Sequence, residues 1–288
     1  MRRTHSVGSS SAVLAAGQIW KIPENDCQYI KRWNREMNQV NIEWEENRPQ
    51  IKNCTIAAAG LPGVGHVGKL VVDHLVRTLK AKKIAEITST LFPPQMYISE
   101  EGVLRFPRNE VWYASKKKNS PAMILLTGDC QSVGPEGHYI LGEAYADIFA
   151  ELGVKRVYTL GGYGLGRLIE KPRVLAAVSS ISLKQEVLDA GALMNGIEPV
   201  GGIIGAAGLI VMFCAKRGIE GISLLGETSG YLVDPVSSTA VLDVFEKLTG
   251  LSADRTDLCK LAEEMQHELS SFANSVQQNA ADDLRYIG

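Results

Sequence analysis

Apolar and polar residues alternate along Val40-Asn41-Ile42-Glu43-Trp44, the pattern of an edge strand with one buried face. The run Cys54 to Ala59 predicts a buried strand. A glycine turn follows. An amphipathic helix then runs from about Val67 to Leu79, with Val67, Leu70, Val71, His74, Leu75 and Leu79 on one side. Ile84 to Thr88 reads as the next strand, and Phe92-Pro93-Pro94 ends it because prolines cannot donate to a ladder. Short strands around Met96–Ile98 and Val111–Tyr113 predict a small β-ribbon insertion.

From there the pattern becomes strand, loop, helix, repeated. Ala122 to Thr127, Val154 to Leu160, Val174 to Val178 and Ile219 to Leu225 read as strands. Helices are predicted from Pro135 or Glu136 to about Leu152, over Leu183 to Ala190, Gly205 to Arg217, and Pro235 to Leu248. Such alternation implies a three-layer α/β/α fold on a mainly parallel sheet. A last helix from about Asp257 to Gln277 places Leu258, Ala262, Met265, Leu269, Phe272 and Val276 at alternating spacings of four and three, a heptad seam. Leu258, Met265, Leu269 and Phe272 are therefore candidate partner-binding residues. The expected organisation is a flexible extension over 1–35, one α/β/α domain over 36–250, the amphipathic helix over 251–278 and a tail over 279–288.

Composition narrows the function classes. The 288 residues are 45% hydrophobic with a formal net charge of -2, so a large core is expected and a nucleic-acid-binding basic face is not. Five separated cysteines form no C-x-x-C pair, which fits reduced thiols in a cytoplasmic protein and no zinc site. Isolated His66 and His138 form no metal-ligand pairing. No apolar run is long enough for a membrane span. Metal, cofactor, nucleic acid and membrane are all expected to be absent.

Gly60 to Lys69 carries the most chemistry. Gly63, Gly65 and Gly68 satisfy G-x-G-x-x-G, and Gly63 to Lys69 also satisfy the front of a P-loop. Leu70 stands where a P-loop needs a Mg²⁺-binding hydroxyl. A dinucleotide fold wants an acid at the end of the second strand, and Glu86 instead lies inside the strand. Close packing of the helix start against a sheet explains the same glycines. Asp129, Arg167 and Glu227 sit just beyond predicted strand ends, so with the Gly63 turn they define a candidate crevice. No nucleophile constellation accompanies them, and Asp129 is expected to raise the pKa of Cys130.

The motifs Gly60-Leu-Pro-Gly-Val-Gly, Phe92-Pro-Pro-Gln95, Leu126-Thr-Gly-Asp-Cys-Gln131, Pro135-Glu-Gly137, Thr159-Leu-Gly-Gly-Tyr-Gly164 and Gly226-Glu-Thr-Ser-Gly-Tyr-Leu-Val-Asp-Pro235 follow one another in order. Together, over roughly residues 38 to 275, they resemble the archaeal branch of the proteasome assembly chaperone family. The resemblance implies a phosphorylase-like α/β/α fold, self-association and a part in assembling the core proteasome. Some members dock through a C-terminal hydrophobic–tyrosine–any tripeptide. This chain ends Arg285-Tyr286-Ile287-Gly288, with the tyrosine third from the end. Tyr286 and Ile287 are thus candidate contacts whose mode departs from that pattern. Two functions stay open: a non-catalytic assembly chaperone that binds itself and proteasome α-type subunits or a family paralogue, and a binder of nucleotide, nucleoside or phosphate in the crevice.

Overall fold

The structure, a computed structural model, describes residues 39–51, 54–194 and 202–265. The expectations for the N-terminal extension and for Leu269, Phe272, Tyr286 and Ile287 lie outside the described residues. Among the described residues ten strands form: β1 Val40–Trp44, β2 Ile56–Ala59, β3 Lys82–Ser89, β4 Tyr97–Ile98, β5 Leu104–Arg105, β6 Asn109–Ala114, β7 Met123–Gly128, β8 Arg156–Gly164, β9 Val174–Val178 and β10 Glu220–Thr228. Eight make one sheet in the order β1-β3-β6-β7-β2-β8-β10-β9. Its centre, β7-β2-β8-β10, is parallel. The flanking pairs are antiparallel. Because β6 reverses between β3 and β7, β3 runs with the centre, and five of the eight strands share one direction. The expected α/β layers on a mostly parallel sheet are what this topology gives.

Helices cover both faces. α2 Pro135–Glu151 and α4 Ala206–Lys216 lie on one, burying Leu141, Tyr145, Phe149 and Ile210. α1 Val67–Thr78, the short α3 Lys184–Asp189 and α5 Pro235–Thr249 lie on the other, burying Val71, Leu75, Val187, Leu242 and Phe245. Local chemistry sets the ends of α5. The Asp234 carboxylate accepts from the Ser237 N–H at 2.8 Å, Pro235 opens the first turn, and Gly250 closes the helix in the left-handed region.

Three differences from the sequence reading have physical causes. Val111–Tyr113 belongs to the main sheet as part of β6, because Val111 and Tyr113 are buried in the core; the ribbon is β4 and β5 alone. β8 and β10 run on through their glycines, with Gly162 opposite Gly226 and Gly164 opposite Thr228, since a backbone ladder needs no side chains. Finally, helical backbone spans 256–265, but Leu258 is only 1% exposed and sits in the chain's own core on the α1 and α5 face. It is not available to a partner, and Leu261 faces out in its place.

Candidate functional site

The turn between β2 and α1 packs on backbone. A Cβ on Gly68 would lie 1.8 Å from the Leu160 carbonyl oxygen, and one on Gly60 would lie 2.1 Å from the Gly68 oxygen. Side chains at these positions would push α1 off β8. Gly65 has φ +62 and lies against Thr228, and its carbonyl accepts from the Asp234 N–H at 2.8 Å. Lys69, the residue a P-loop would aim at phosphate, pairs with Asp73 one turn on at 2.8 Å. Asp73 in turn accepts from the Thr127 hydroxyl at 2.6 Å. The glycine pattern therefore builds a helix–sheet contact, and Gly65 and Gly68 are buried within it.

Asp129 and Glu227 are each paired with a different arginine. Asp129 takes both terminal nitrogens of Arg105 at 2.5 and 3.1 Å and the Arg108 N–H at 3.0 Å. Arg105 stacks over Tyr97, whose hydroxyl donates to the Asp129 carbonyl at 3.2 Å. Asp129 thus pins the β4–β5 ribbon. Burial raises its pKa, but Arg105 and Arg108 outweigh burial and hold it below the usual carboxylate range. Glu227, at the end of β10, binds the Arg173 guanidinium and accepts from the Arg173 N–H at 3.1 Å. Arg173 and burial pull its pKa in opposite directions, and Arg173 wins, holding the carboxyl low. Arg167 stands exposed nearby and adds to that depression. Both acids are occupied structural anchors.

What does open at the strand ends is a cavity of about 290 Å³. Gly63 is the one member of the predicted crevice that lines it; Gly65, Gly68, Asp129, Arg167 and Glu227 do not. Its walls come from the ends of β2 and β8, from Leu225 of β10 and from the first turn of α4. Gln131 holds this wall together. Its Nε2 donates to the Pro62 carbonyl at 2.8 Å, and its Oε1 accepts from the Ala206 N–H at 3.0 Å. Sequence reasoning missed Gln131 as a clamp, although it closes the Leu126–Gln131 motif. It also missed Thr159, a buried threonine on the cavity wall.

Around the same strand ends three loops meet. Val64 packs against Gly164 and Gly230, and a Cβ on Gly166 would approach the Tyr231 hydroxyl at 3.7 Å. They present exposed Val64, Leu168, Tyr231, Leu232 and Val233, with Tyr231 80% exposed. Burial first, then the neighbouring Asp129, pushes the Cys130 thiol up to about 11, so it is no thiolate nucleophile at neutral pH. Among the described residues no group of three or more His, Cys, Asp or Glu is placed to hold a metal ion, and no helix is long and apolar enough to cross a membrane.

A family model described as the PAC2 family matches residues 57–273. The chain belongs to the PAC2 family. This is the family its ordered motifs resemble. The PAC2 chain is similar, at 37% identity, to the crystal structure of Pyrococcus furiosus PbaB, an archaeal proteasome activator. That match covers 82% of this chain and 100% of the other, with a TM-score of 0.75. Pyrococcus furiosus PbaA, an archaeal homolog of proteasome-assembly chaperone, shares the fold at 24% identity, covering 86% and 97% with a TM-score of 0.66. Uncharacterized protein MJ1210 of Methanocaldococcus jannaschii is 37% identical over 238 residues, 80% of this chain and 90% of its own.

Proposed function

We propose that this PAC2 protein acts by binding and not by catalysis: a cytoplasmic assembly-chaperone or scaffold protein that associates with itself and with proteasome α-type subunits or a family paralogue. One observation carries the reading. At the strand ends the acids that could serve chemistry are consumed by arginines, while Val64, Leu168, Tyr231, Leu232 and Val233 stand exposed on three converging loops. Exposed apolar side chains gathered in one place mark protein contacts, and a tyrosine among them is a common anchor. The similarity to an archaeal proteasome activator supports the partner class.

The test is native mass spectrometry of the full chain, alone and mixed with proteasome α-type subunits. Higher oligomers and a mixed complex are expected. A double substitution, Tyr231→Ser with Leu232→Ser, is expected to lose the mixed complex while keeping the unfolding midpoint. A chain that stays monomeric and captures neither α-type subunits nor a paralogue would overturn the proposal.

A further inference from the structure

The geometry points to the outer face of the β4–β5 ribbon as the surface through which this chain binds a second copy of itself. The inference rests on the self-association proposed above and gives it a place, apart from the three loops. In the ribbon Tyr97 lies opposite Arg105, and Ile98 lies opposite Leu104. Successive side chains of a strand point to opposite faces. Tyr97 and Arg105 face the domain: Arg105 takes the Asp129 carboxylate at 2.5 and 3.1 Å, and the Tyr97 hydroxyl donates to the Asp129 carbonyl. Ile98 and Leu104 therefore face away from it, 70% and 64% exposed. Two residues nearer the root on each strand, Met96 and Phe106 continue this face, and both are exposed.

A two-stranded ribbon this short is not stable by itself. Here the Arg105–Asp129 pair, the stacking of Arg105 over the Tyr97 ring and the Tyr97 hydrogen bond hold it in place from within. The result is an apolar plate held out in water. A surface fixed before contact loses less entropy on binding than one ordered by it.

Area, shape and charge favour a second copy as the occupant. Met96, Ile98, Leu104 and Phe106 together expose roughly 400 Å², a patch of the size that marks a contact site. A stable interface buries about 800 Å² per partner, a little over half of it apolar, so two such plates face to face supply the apolar part of one. A contact about a two-fold axis uses the same patch on both chains. The plate suits that, because its cross-strand apolar pairs carry no charge that would meet its own like. The only charged residues from Pro94 to Leu104 are Glu100 and Glu101, at the ribbon tip, and the part-exposed Arg105 and Arg108 stand at the root. Packing the two ribbons antiparallel keeps the acidic tips apart and sets each near the arginines of the partner's root.

The experiment is sedimentation equilibrium of the full chain over a dilution series, with Ile98→Glu and Ile98→Lys as variants. Each places a charge in the middle of the plate and is expected to raise the dissociation constant of the contact at least about a hundredfold. Both side chains face water in the single chain, so the unfolding midpoint should not change. Mixed in equal amounts, the two variants are expected to reassociate, because a glutamate plate then meets a lysine plate. Leu104→Glu and Leu104→Lys repeat the test from the opposite strand should a residue 98 variant fail to fold. A parent that stays monomeric at every concentration would overturn this proposal together with the self-association read above. A parent that self-associates just as well with either charge at residue 98 would overturn this proposal alone. So would variants that stay dissociated when mixed, since the plate would then meet a different surface, and variants that lose only the complex with α-type subunits, which would assign the ribbon to that partner.

Discussion

Gly68, in α1 packed on one face of β8, and Gly161, within β8 and facing α4, do opposite things. On the α1 side, Gly68 lets two backbones touch: its Cβ would strike the Leu160 carbonyl at 1.8 Å and come within 3.0 Å of the Gly161 nitrogen. On the α4 side, Gly161 borders the cavity, and a Cβ there would meet only a Leu225 methyl at 3.1 Å. One glycine closes a contact and the other leaves room. In sequence both belong to glycine motifs that look alike. What separates them is whether the facing atoms are fixed backbone or the end of a flexible side chain.

Substituting both glycines tests that comparison most severely. Gly68→Ala must displace α1 from β8, and overpacking against backbone is expected to cost about 3 kcal/mol or more. Gly161→Ala asks Leu225 to move by a few tenths of an ångström and is expected to cost less than about 1 kcal/mol. Urea unfolding of the two variants reads the difference directly. Equal losses would mean that the two sides of β8 do not differ as the structure has them.

The closed side extends to the C-terminal helix. Leu258 is buried with the α1 and α5 residues, so Leu258→Ala is expected to cost about 3 kcal/mol through the cavity it leaves. Leu261, on the outer side, should tolerate alanine within about 0.5 kcal/mol. If Leu258→Ala leaves the unfolding free energy intact but dissociates an oligomer, the seam begins at Leu258 after all.

Much of this arrangement was legible from apolar periodicity. The strand–helix alternation fell out of runs such as Ile219 to Leu225 and Val174 to Val178, whose burial leaves few other readings. The ribbon was misread because Val111–Tyr113 is short, and its place between β3 and β7 depends on pairings that no local pattern encodes. The candidate site was less legible. Asp129 and Glu227 read as crevice acids because they end strands. Their arginines arrive from 24 and 54 residues away, and only folding reveals that the charges are spent. Thr159 heads one motif but gave no hint of the cavity it lines, since a β-branched residue in a strand is ordinary.

The open side has its own anchor in Glu227. Glu227→Gln keeps the shape but exchanges charged hydrogen bonds to Arg173 for neutral ones, at an expected cost of about 2 kcal/mol near neutral pH. The folded carboxyl is held below its ordinary value of 4.5, so its stabilisation is present above that value and is lost as the pH falls through the depressed one. Asp129 adds a loss of the same sign. Acid unfolding should therefore be shallower in Glu227→Gln than in the parent. An unchanged acid limb would show that Arg173 and Glu227 do not couple.

The smallest effect lies on the closed side, at His74. Its ring is buried in α1, and its Nε2 lies 2.6 Å from the Asp254 carbonyl, which can only accept; the ring nitrogen facing it therefore carries the proton. Nδ1 has no partner. Burial lowers the histidine pKa from 6.5, with Arg77 adding to that effect, while the bond to Asp254 and the charges of Asp257 and Asp254 oppose it. The unfolded chain therefore takes up the proton more readily. The contribution of His74 to stability is complete above 6.5 and is lost as the pH falls toward the lowered value. Between about pH 7 and pH 5 the histidines titrate ahead of most carboxylates, so the unfolding midpoint should fall slightly, mainly through histidine. His138 shifts in the same direction and shares that fall. His74→Gln keeps a donor for Asp254 and should remove the His74 share, which thermal unfolding of parent and variant at the two pH values measures as a difference in slope. Identical slopes would mean that α1 does not hold residue 254 through this ring.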